Sequence, residues 1–497
     1  MDYLSLISGS DVRGVAIGEN AVLNETVAYR LGQAFSTFLV RRGIARPCVN
    51  VGHDPRLSSP ALEQALADGL ASAGSIVRTF GLCTTPAMYM SLLGEPGADG
   101  AIMVTASHLP WDRNGFKFFL HDGGISSSTL LEILVIAADS ADLTREGGQI
   151  SRYNYLPVYT EHLRSIFMNR LGSDNPKPFN GLHIIVDAGN GSGGFYADLL
   201  ASLGANTEGS QFLDPDGHFP NHIPNPENED AMESISQAVI RSHADVGVIF
   251  DTDCDRAAIV DNTGREINRN RLIALIAAII LKEYPGATIV TDSVTSSGLA
   301  TFIENHGGHH HRFKRGYRNV IDEARRLTAS GVVAPLAIET SGHAALQENH
   351  FLDDGMYLVT RLLCEAVNLN RRGESLASLI SDLAEPAEST ELRFDITDPD
   401  YKAAGQNAID RVIAYAQEHK DWHAAEDNYE GIRISFDLDG QKNNAWFLLR
   451  LSLHDPVLPL NIEADIAGDA KQVAAQLYEA LKDAEGIDLS PLTDMIQ

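Results

Sequence analysis

Leu182-His183-Ile184-Ile185-Val186-Asp187-Ala188-Gly189-Asn190 is the stretch on which the architecture turns. An apolar run closes on an acidic turn and opens into a helix-like segment, the order expected of a buried strand feeding a crossover helix. The same order recurs in Pro47-Cys48-Val49-Asn50-Val51-Gly52-His53-Asp54 and in Ala287-Thr288-Ile289-Val290-Thr291-Asp292. Amphipathic segments at 61–73 and 271–281 supply two of the helices. The three instances begin at residues 47, 182 and 287, a domain-sized interval rather than a solenoid period. Three related α/β domains are the simplest reading.

The polar stretch 171–178 reads as a loop ahead of the second domain's first strand. Residues 385–400, rich in Pro, Glu, Thr and Asp, mark a change of composition. Beyond them the order changes: 401–419 reads as a helix, 431–438 and 445–453 as strands, and 467–484 as a helix. That is an α+β unit and not a fourth repeat. The expected domains are 1–152, 153–262, 263–388 and 389–497.

A chain of 497 residues has ample core for several domains. Against 67 acidic residues stand 38 lysines and arginines, and a net charge of -29 argues against nucleic acid as a partner. A small phosphorylated ligand is still allowed where Arg, Lys and backbone amides gather locally. Four cysteines, Cys48, Cys83, Cys254 and Cys364, form no CxxC pair, which fits a reducing cytoplasm better than a disulfide framework. No apolar run approaches the roughly 20 residues that a membrane helix needs, so no membrane association is expected.

Asp251-Thr252-Asp253-Cys254-Asp255-Arg256 lies between two apolar strand-like runs. Three Asp at alternate positions crowd like charges that a hard cation such as Mg²⁺ makes tolerable. Thr105-Ala106-Ser107-His108-Leu109-Pro110 offers a phosphate carrier. Adjacent side chains on an extended segment point to opposite faces, so Ser107 and His108 do not by themselves make a nucleophile and base. His309-His310-His311 reads as a polar loop before a strand, since its spacing does not present three rings to one metal.

These motifs, in order, resemble those of the α-D-phosphohexomutases, the superfamily of phosphoglucomutase, phosphomannomutase and phosphoglucosamine mutase. Residues 105–110, continuing to Asn114-Gly115-Phe116-Lys117, resemble the family's phosphoserine loop, and Asp251 to Arg256 its magnesium loop. Glu339-Thr340-Ser341-Gly342-His343, followed by Asp353-Asp354-Gly355, resembles its sugar-recognition loop. Arg450-Leu451-Ser452-Leu453-His454-Asp455-Pro456 stands where its C-terminal phosphate loop falls. Further matches are Ser10-Asp11-Val12-Arg13-Gly14, residues 52–59 and residues 215–221, so the resemblance covers essentially the entire chain.

The resemblance implies three related α/β domains with mixed sheets and a C-terminal α+β domain, arranged around a central cleft. It implies exchange of hexose 1-phosphate and 6-phosphate, glucose or mannose phosphate first, through phospho-Ser107 and a hexose 1,6-bisphosphate. It assigns catalysis to Ser107, His108 and Lys117, and Mg²⁺ to Ser107, Asp251, Asp253 and Asp255. Substrate contact falls to Arg13, Arg256, Lys314, Glu339, Ser341, His343, Arg450, Ser452 and His454. Arg56 suits either a phosphate or a structural ion pair. The implied protein is a cytoplasmic monomer or small homo-oligomer.

Two departures stand out. The magnesium loop usually has glycines where this chain has Thr252 and Cys254, residues that adopt positive φ less cheaply. The phosphate loop usually ends in Ser-Gly-Thr or Ser-Asn-Thr, and Leu453 and His454 replace its last two positions. The altered phosphate loop leaves open phosphoglucosamine mutase and a non-catalytic sugar-phosphate-binding homologue, and the bare Asp-x-Asp-x-Asp pattern by itself would also suit a metal-dependent phosphohydrolase.

Overall fold

A computed structural model describes all residues except Met1, Pro96, Ser140, Ser173, Asp174, Leu453 and His454. It divides into two compact units, residues 1–272 with 341–378, and residues 273–340 with 379–497.

The first unit holds two sheets whose loops carry most of the chemistry. In the larger sheet, the strands Gly100–Val104, Cys48–His53, Ile76–Leu82 and Gln149–Arg152 run parallel. Arg113–Leu120 and Asp11–Val15 extend the sheet antiparallel at the other side. Cys48–His53 is the expected strand at residue 47, and its Val49 and Val51 are completely buried. The helix Ser59–Ser72 follows it, entered through Pro60, whose missing N–H would have no partner there anyway. The second sheet runs Glu266–Ile267, Ala257–Asp261, Val246–Phe250, Ile184–Asp187, with only the last pair parallel. Both sheets are therefore mixed, and the strand expected at residue 182 is there as Ile184–Asp187. Among the described residues no helix is long and apolar enough to cross a membrane.

In the second unit the strands His309–Arg312, Thr288–Thr291 and Leu336–Ile338 run parallel. The triple histidine is thus a strand and not the loop expected from its polarity. Alternation separates the rings: His310 meets Thr291 Oγ1 at 2.8 Å, whereas His311 meets Glu323 Oε1 at 2.9 Å. The C-terminal sheet is antiparallel throughout, in the order Glu388–Asp395, Val457–Ala464, Ala445–Leu449, Ile432–Phe436, Trp422–Ala424.

Two of those strands depart from the sequence reading. Glu388–Asp395 falls inside the stretch taken as a compositional break, yet it pairs with Val457–Ala464 over all eight residues. Its even positions, Thr390, Leu392 and Phe394, turn toward the core, and charged residues occupy the outer face. Polar composition concealed a period of two. Val457–Ala464 has no counterpart among the strands expected from the sequence, and Pro459 lies within it. The strand expected over 445–453 ends at Leu449, which leaves Arg450 and Ser452 in the turn that follows.

Candidate active site

Ser107 follows the strand Gly100–Val104 with φ at +51°, a left-handed conformation that costs a non-glycine residue about 1–2 kcal/mol. The turn is held from within. Arg56, completely buried, donates to the carbonyls of Ser107, Leu109, Pro110 and Arg113, the Leu109 and Pro110 bonds being 2.6 Å long. Asp54 Oδ2 orients the guanidinium at 3.0 Å from Nε and accepts from Thr105 Oγ1 at 2.8 Å. Thr105 Oγ1 in turn accepts from the Ser107 N–H at 2.8 Å. Arg56 thus takes the structural role: it fixes the backbone that presents Ser107. Gly115 completes the cradle, because a Cβ there would lie 2.2 Å from the Val12 carbonyl and 2.8 Å from that of Thr105.

The acidic loop leaves the strand Val246–Phe250 and returns as Ala257–Asp261. Cys254 takes φ of +66°, so a non-glycine residue does hold the left-handed position here. The helix Thr85–Leu93 approaches the loop from the first sheet, with Thr85 N donating to the Asp253 carbonyl at 2.9 Å and Thr85 Oγ1 to the Asp253 carboxylate. The two loops converge. Ser107 Oγ donates to Asp251 Oδ2 at 2.9 Å, and Arg256 Nη2 stands 3.1 Å from Ser107 Oγ while also meeting His108 Nδ1.

Lys117 lies on the strand Arg113–Leu120, almost wholly buried rather than solvated, and its Nζ bonds Asp255 and, at 2.9 Å, Asp253. Burial would lower its pKa, but Asp253, Asp255 and Asp11 outweigh that and keep the ammonium charged. His108 is driven the other way, to about 2, by burial and then by the cations Arg256 and Arg13. It is therefore a neutral imidazole. Arg13 is held by Asp11 Oδ2 and the Thr105 carbonyl, each at 2.8 Å.

Asp251, Asp253 and Asp255 bring one carboxylate oxygen each within 4.8 Å of the others. Burial, then Asp255 and Asp253, raise Asp251 to about 8. The Asp253 Oδ1 and Asp255 Oδ1 atoms are buried with no hydrogen-bond partner. Orphaned hard oxygens beside a clustered carboxylate fit a divalent cation, whose binding would satisfy them.

His343 belongs to the same unit. Its Nδ1 meets Asp353 Oδ2 at 2.6 Å and lies 3.9 Å from Asp255 Oδ1, and burial is outweighed by both carboxylates, which raise it to about 9. Gly342, at φ +92°, passes so close to Ala257 that a Cβ would sit 2.8 Å from its carbonyl. Ser341 is buried beside it. Asp354 caps the helix Gly355–Asn370 through the Tyr357 N–H and takes no part in the acidic cluster.

In the second unit Glu339 Oε1 accepts from the Gly316 N–H at 2.5 Å, Lys314 is exposed, and Arg450 is buried. Ser452 Oγ accepts from the Asp455 N–H at 3.2 Å. His454 lies outside the described residues. The sequence did not reveal Arg56 as the holder of the phosphoserine-like turn, nor Thr85 as a clamp on the acidic loop. Neither has a motif; a buried arginine's carbonyl partners are set by tertiary packing.

Known proteins match nearly the whole chain. Residues 5–142, 157–264 and 268–387 match the models for phosphoglucomutase/phosphomannomutase α/β/α domains I, II and III. The chain is 33% identical to the phosphomannomutase/phosphoglucomutase of Pseudomonas putida over 473 residues, 94% of each. It is 30% identical to the phosphoglucomutase of Neisseria gonorrhoeae over 460 residues, 92% of each. A crystal structure of a phosphoglucomutase/phosphomannomutase family protein from Burkholderia thailandensis superposes with a TM-score of 0.81 at 30% identity, covering 98% of both chains.

Proposed function

The chain belongs to the phosphoglucomutase/phosphomannomutase family, and on that premise we propose that it is a Mg²⁺-dependent phosphohexomutase interconverting the 1- and 6-phosphates of glucose or mannose. The observation that carries this reading is the convergence on Ser107 Oγ of Asp251 at 2.9 Å and Arg256 Nη2 at 3.1 Å. An exposed phosphate acceptor would not need a buried cation, a carboxylate cluster and a strained turn around one hydroxyl.

The reaction begins with phosphate on Ser107. A hydroxyl of the sugar monophosphate attacks phosphorus, the P–O bond to Ser107 breaks as the new one forms, and the hydroxyl proton passes to a base. The hexose 1,6-bisphosphate then returns its other phosphate to Ser107 Oγ. Asp251, Asp253 and Asp255 would hold Mg²⁺, which when bound neutralises phosphoryl oxygens. Such a transfer depends on in-line placement and neutralised charge more than on covalent help. Arg256 faces the serine oxygen and balances charge there, while Arg56 keeps the turn in place. Lys117, pinned between carboxylates, stabilises negative charge; His108, held neutral by burial and by Arg256 and Arg13, stays beside the phosphoserine as an uncharged hydrogen-bonding partner. Arg13, Lys314, Glu339, Ser341, His343, Arg450, Ser452 and His454 complete the substrate contacts in this reading, and 1–152, 153–262, 263–388 and 389–497 are its four domains.

A panel of glucose, mannose, glucosamine and N-acetylglucosamine 1-phosphates, each assayed with Mg²⁺ and catalytic bisphosphate, tests it. Turnover of the glucose or mannose compound to its 6-phosphate is expected. Release of inorganic phosphate with no 6-phosphate would replace the mutase by a hydrolase.

A further inference from the structure

The helix Thr85–Leu93 is wedged against the first sheet. Its Met88 is completely buried and packs so closely on the strand Cys48–His53 that a Cβ at Gly52 would lie 2.6 Å from the Met88 Sδ. Tyr89, also buried, donates from its hydroxyl to the His121 carbonyl at 3.0 Å. Thr84 caps the helix by accepting from the Ala87 N–H at 3.2 Å, and Pro86 stands in the first turn. The Thr85 N–H is one of the donors that an α-helix leaves without a partner at its start, and here it is spent on the Asp253 carbonyl. A fixed element thus ends against the acidic loop, with Thr85 at the point of contact.

The side-chain contacts divide the carboxylate oxygens of that loop into two sets. Asp253 Oδ2 accepts from Thr85 Oγ1 and, at 2.9 Å, from Lys117 Nζ, and Asp255 Oδ2 accepts from the same ammonium. Asp253 Oδ1 and Asp255 Oδ1 are buried without a hydrogen-bond partner among the described residues; His343 Nδ1 stands 3.9 Å from Asp255 Oδ1. Each of these two aspartates therefore offers a cation one oxygen. Asp255 Oδ2 is held by the lysine, whereas Asp253 is tied to Thr85 at both its backbone carbonyl and its carboxylate. Thr85 carries no charge, so its share in the arrangement is orientation and not neutralisation.

The number of oxygens a carboxylate presents separates the two common hard cations. Mg²⁺ demands near-ideal octahedral geometry at about 2.0–2.1 Å, whereas Ca²⁺ takes roughly six to eight oxygens at about 2.3–2.6 Å and accepts a carboxylate through both of its oxygens. We propose that Thr85 is a positioning residue that fits this site to Mg²⁺ over Ca²⁺, by holding Asp253 Oδ2 so that only Oδ1 is open to the cation. The inference rests on the Mg²⁺-dependent mutase reading for the presence of a cation, and it is tested on binding without turnover.

Titration calorimetry of the chelator-stripped full chain with Mg²⁺ alone, and separately with Ca²⁺ alone, reads the selectivity; the isomerisation assay reads the mutase. The parent should bind Mg²⁺ more tightly than Ca²⁺. Thr85→Val keeps the shape and removes the donor, so Mg²⁺ affinity should fall about tenfold to a hundredfold, the usual effect of losing a group that orients a metal ligand. Ca²⁺, which can use the freed oxygen, should lose less or gain, and the ratio of the two dissociation constants should move about tenfold toward Ca²⁺. Thr85→Ser keeps the hydroxyl and should keep the parent's ratio. Melting temperatures without metal show that each variant folds, and if Thr85→Val does not, Thr85→Ala takes its place. An unchanged ratio in that variant, including an equal loss for both cations, makes Thr85 a structural prop and overturns the proposal. A parent that prefers Ca²⁺, or a Thr85→Ser that shifts as far as Thr85→Val, overturns it too. In each of these cases the mutase stands if the parent isomerises its sugar phosphate. A parent that shows the expected preference and its loss in Thr85→Val, yet isomerises neither glucose nor mannose 1-phosphate, overturns the mutase and leaves the role of Thr85. A parent that binds neither cation overturns both the proposal and the Mg²⁺ dependence.

Discussion

Ser107 Oγ donates a 2.9 Å hydrogen bond to Asp251 Oδ2 across 144 residues of sequence. The contact joins the turn after one sheet's strand to the acidic loop of the next sheet, and it puts the hydroxyl inside a ring of charge. Phosphorylation there would place a dianion against a buried carboxylate, a repulsion that Arg256 and a bound cation must offset. Ser107 should therefore carry phosphate in part of the purified protein. Intact mass should show a phosphate adduct that Ser107→Ala abolishes together with mutase activity; an active alanine variant would exclude the phosphoserine mechanism.

Asp251 is raised to about 8 by burial and by Asp255 and Asp253, so removing its charge relieves the apo fold while removing a metal oxygen. Asp251→Asn should melt at or above the parent's temperature near pH 8 without metal and lose turnover. Chelated parent should regain activity with Mg²⁺, and the variant should not. A variant less stable than the parent would mean that Asp251 is chiefly a fold carboxylate. The shift toward higher melting temperature on adding Mg²⁺, expected for the parent by mass action, gives a readout independent of activity.

The three α/β domains were legible because each announces itself with a continuous apolar run ending in an acidic turn, and burial of those strands on both faces keeps the run unbroken. The Asp251, Asp253 and Asp255 spacing was legible for a similar reason, since alternate carboxylates in a buried setting have few structural uses. What stayed hidden depends on long-range packing or on faint alternation. Glu388–Asp395 is half solvated, so its strand signal is carried by Thr390, Leu392 and Phe394 alone. Arg56 looks like a ligand arginine in sequence; only the fold shows its donors spent on four carbonyls.

That arrangement makes Arg56 a positioning residue with a measurable signature. Arg56→Lys keeps a cation beside Asp54, but one ammonium cannot reach four carbonyl oxygens spread over residues 107–113. A displacement of about 1 Å at Ser107 should lower kcat roughly a hundredfold while KM changes little. Arg56→Met should also lose about 3–5 kcal/mol of stability by stranding buried Asp54. If Arg56→Lys keeps kcat within about twofold of the parent, the turn is held by its other contacts.

Asp354 gives a prediction of opposite sign from most acidic residues. It is almost fully buried, and burial raises its pKa to about 7 although Tyr357 N–H, Asn349 and Tyr159 donate to it. In the unfolded chain it titrates near 3.9. Between those values the native state holds a proton that the unfolded state has released, so stability falls as pH rises through the window from about 4 to about 7. At about 1.4 kcal/mol for each unit, the loss amounts to a few kcal/mol once pH passes 7. Asp354→Asn is neutral at every pH and keeps an oxygen for the Tyr357 N–H, so it should match the parent near pH 4 and gain on it toward pH 8. Melting temperatures of the two proteins across that range decide it. A constant difference, or a parent that gains on the variant with rising pH, would show that Asp354 is ionised in the fold and that its three donors outweigh its burial.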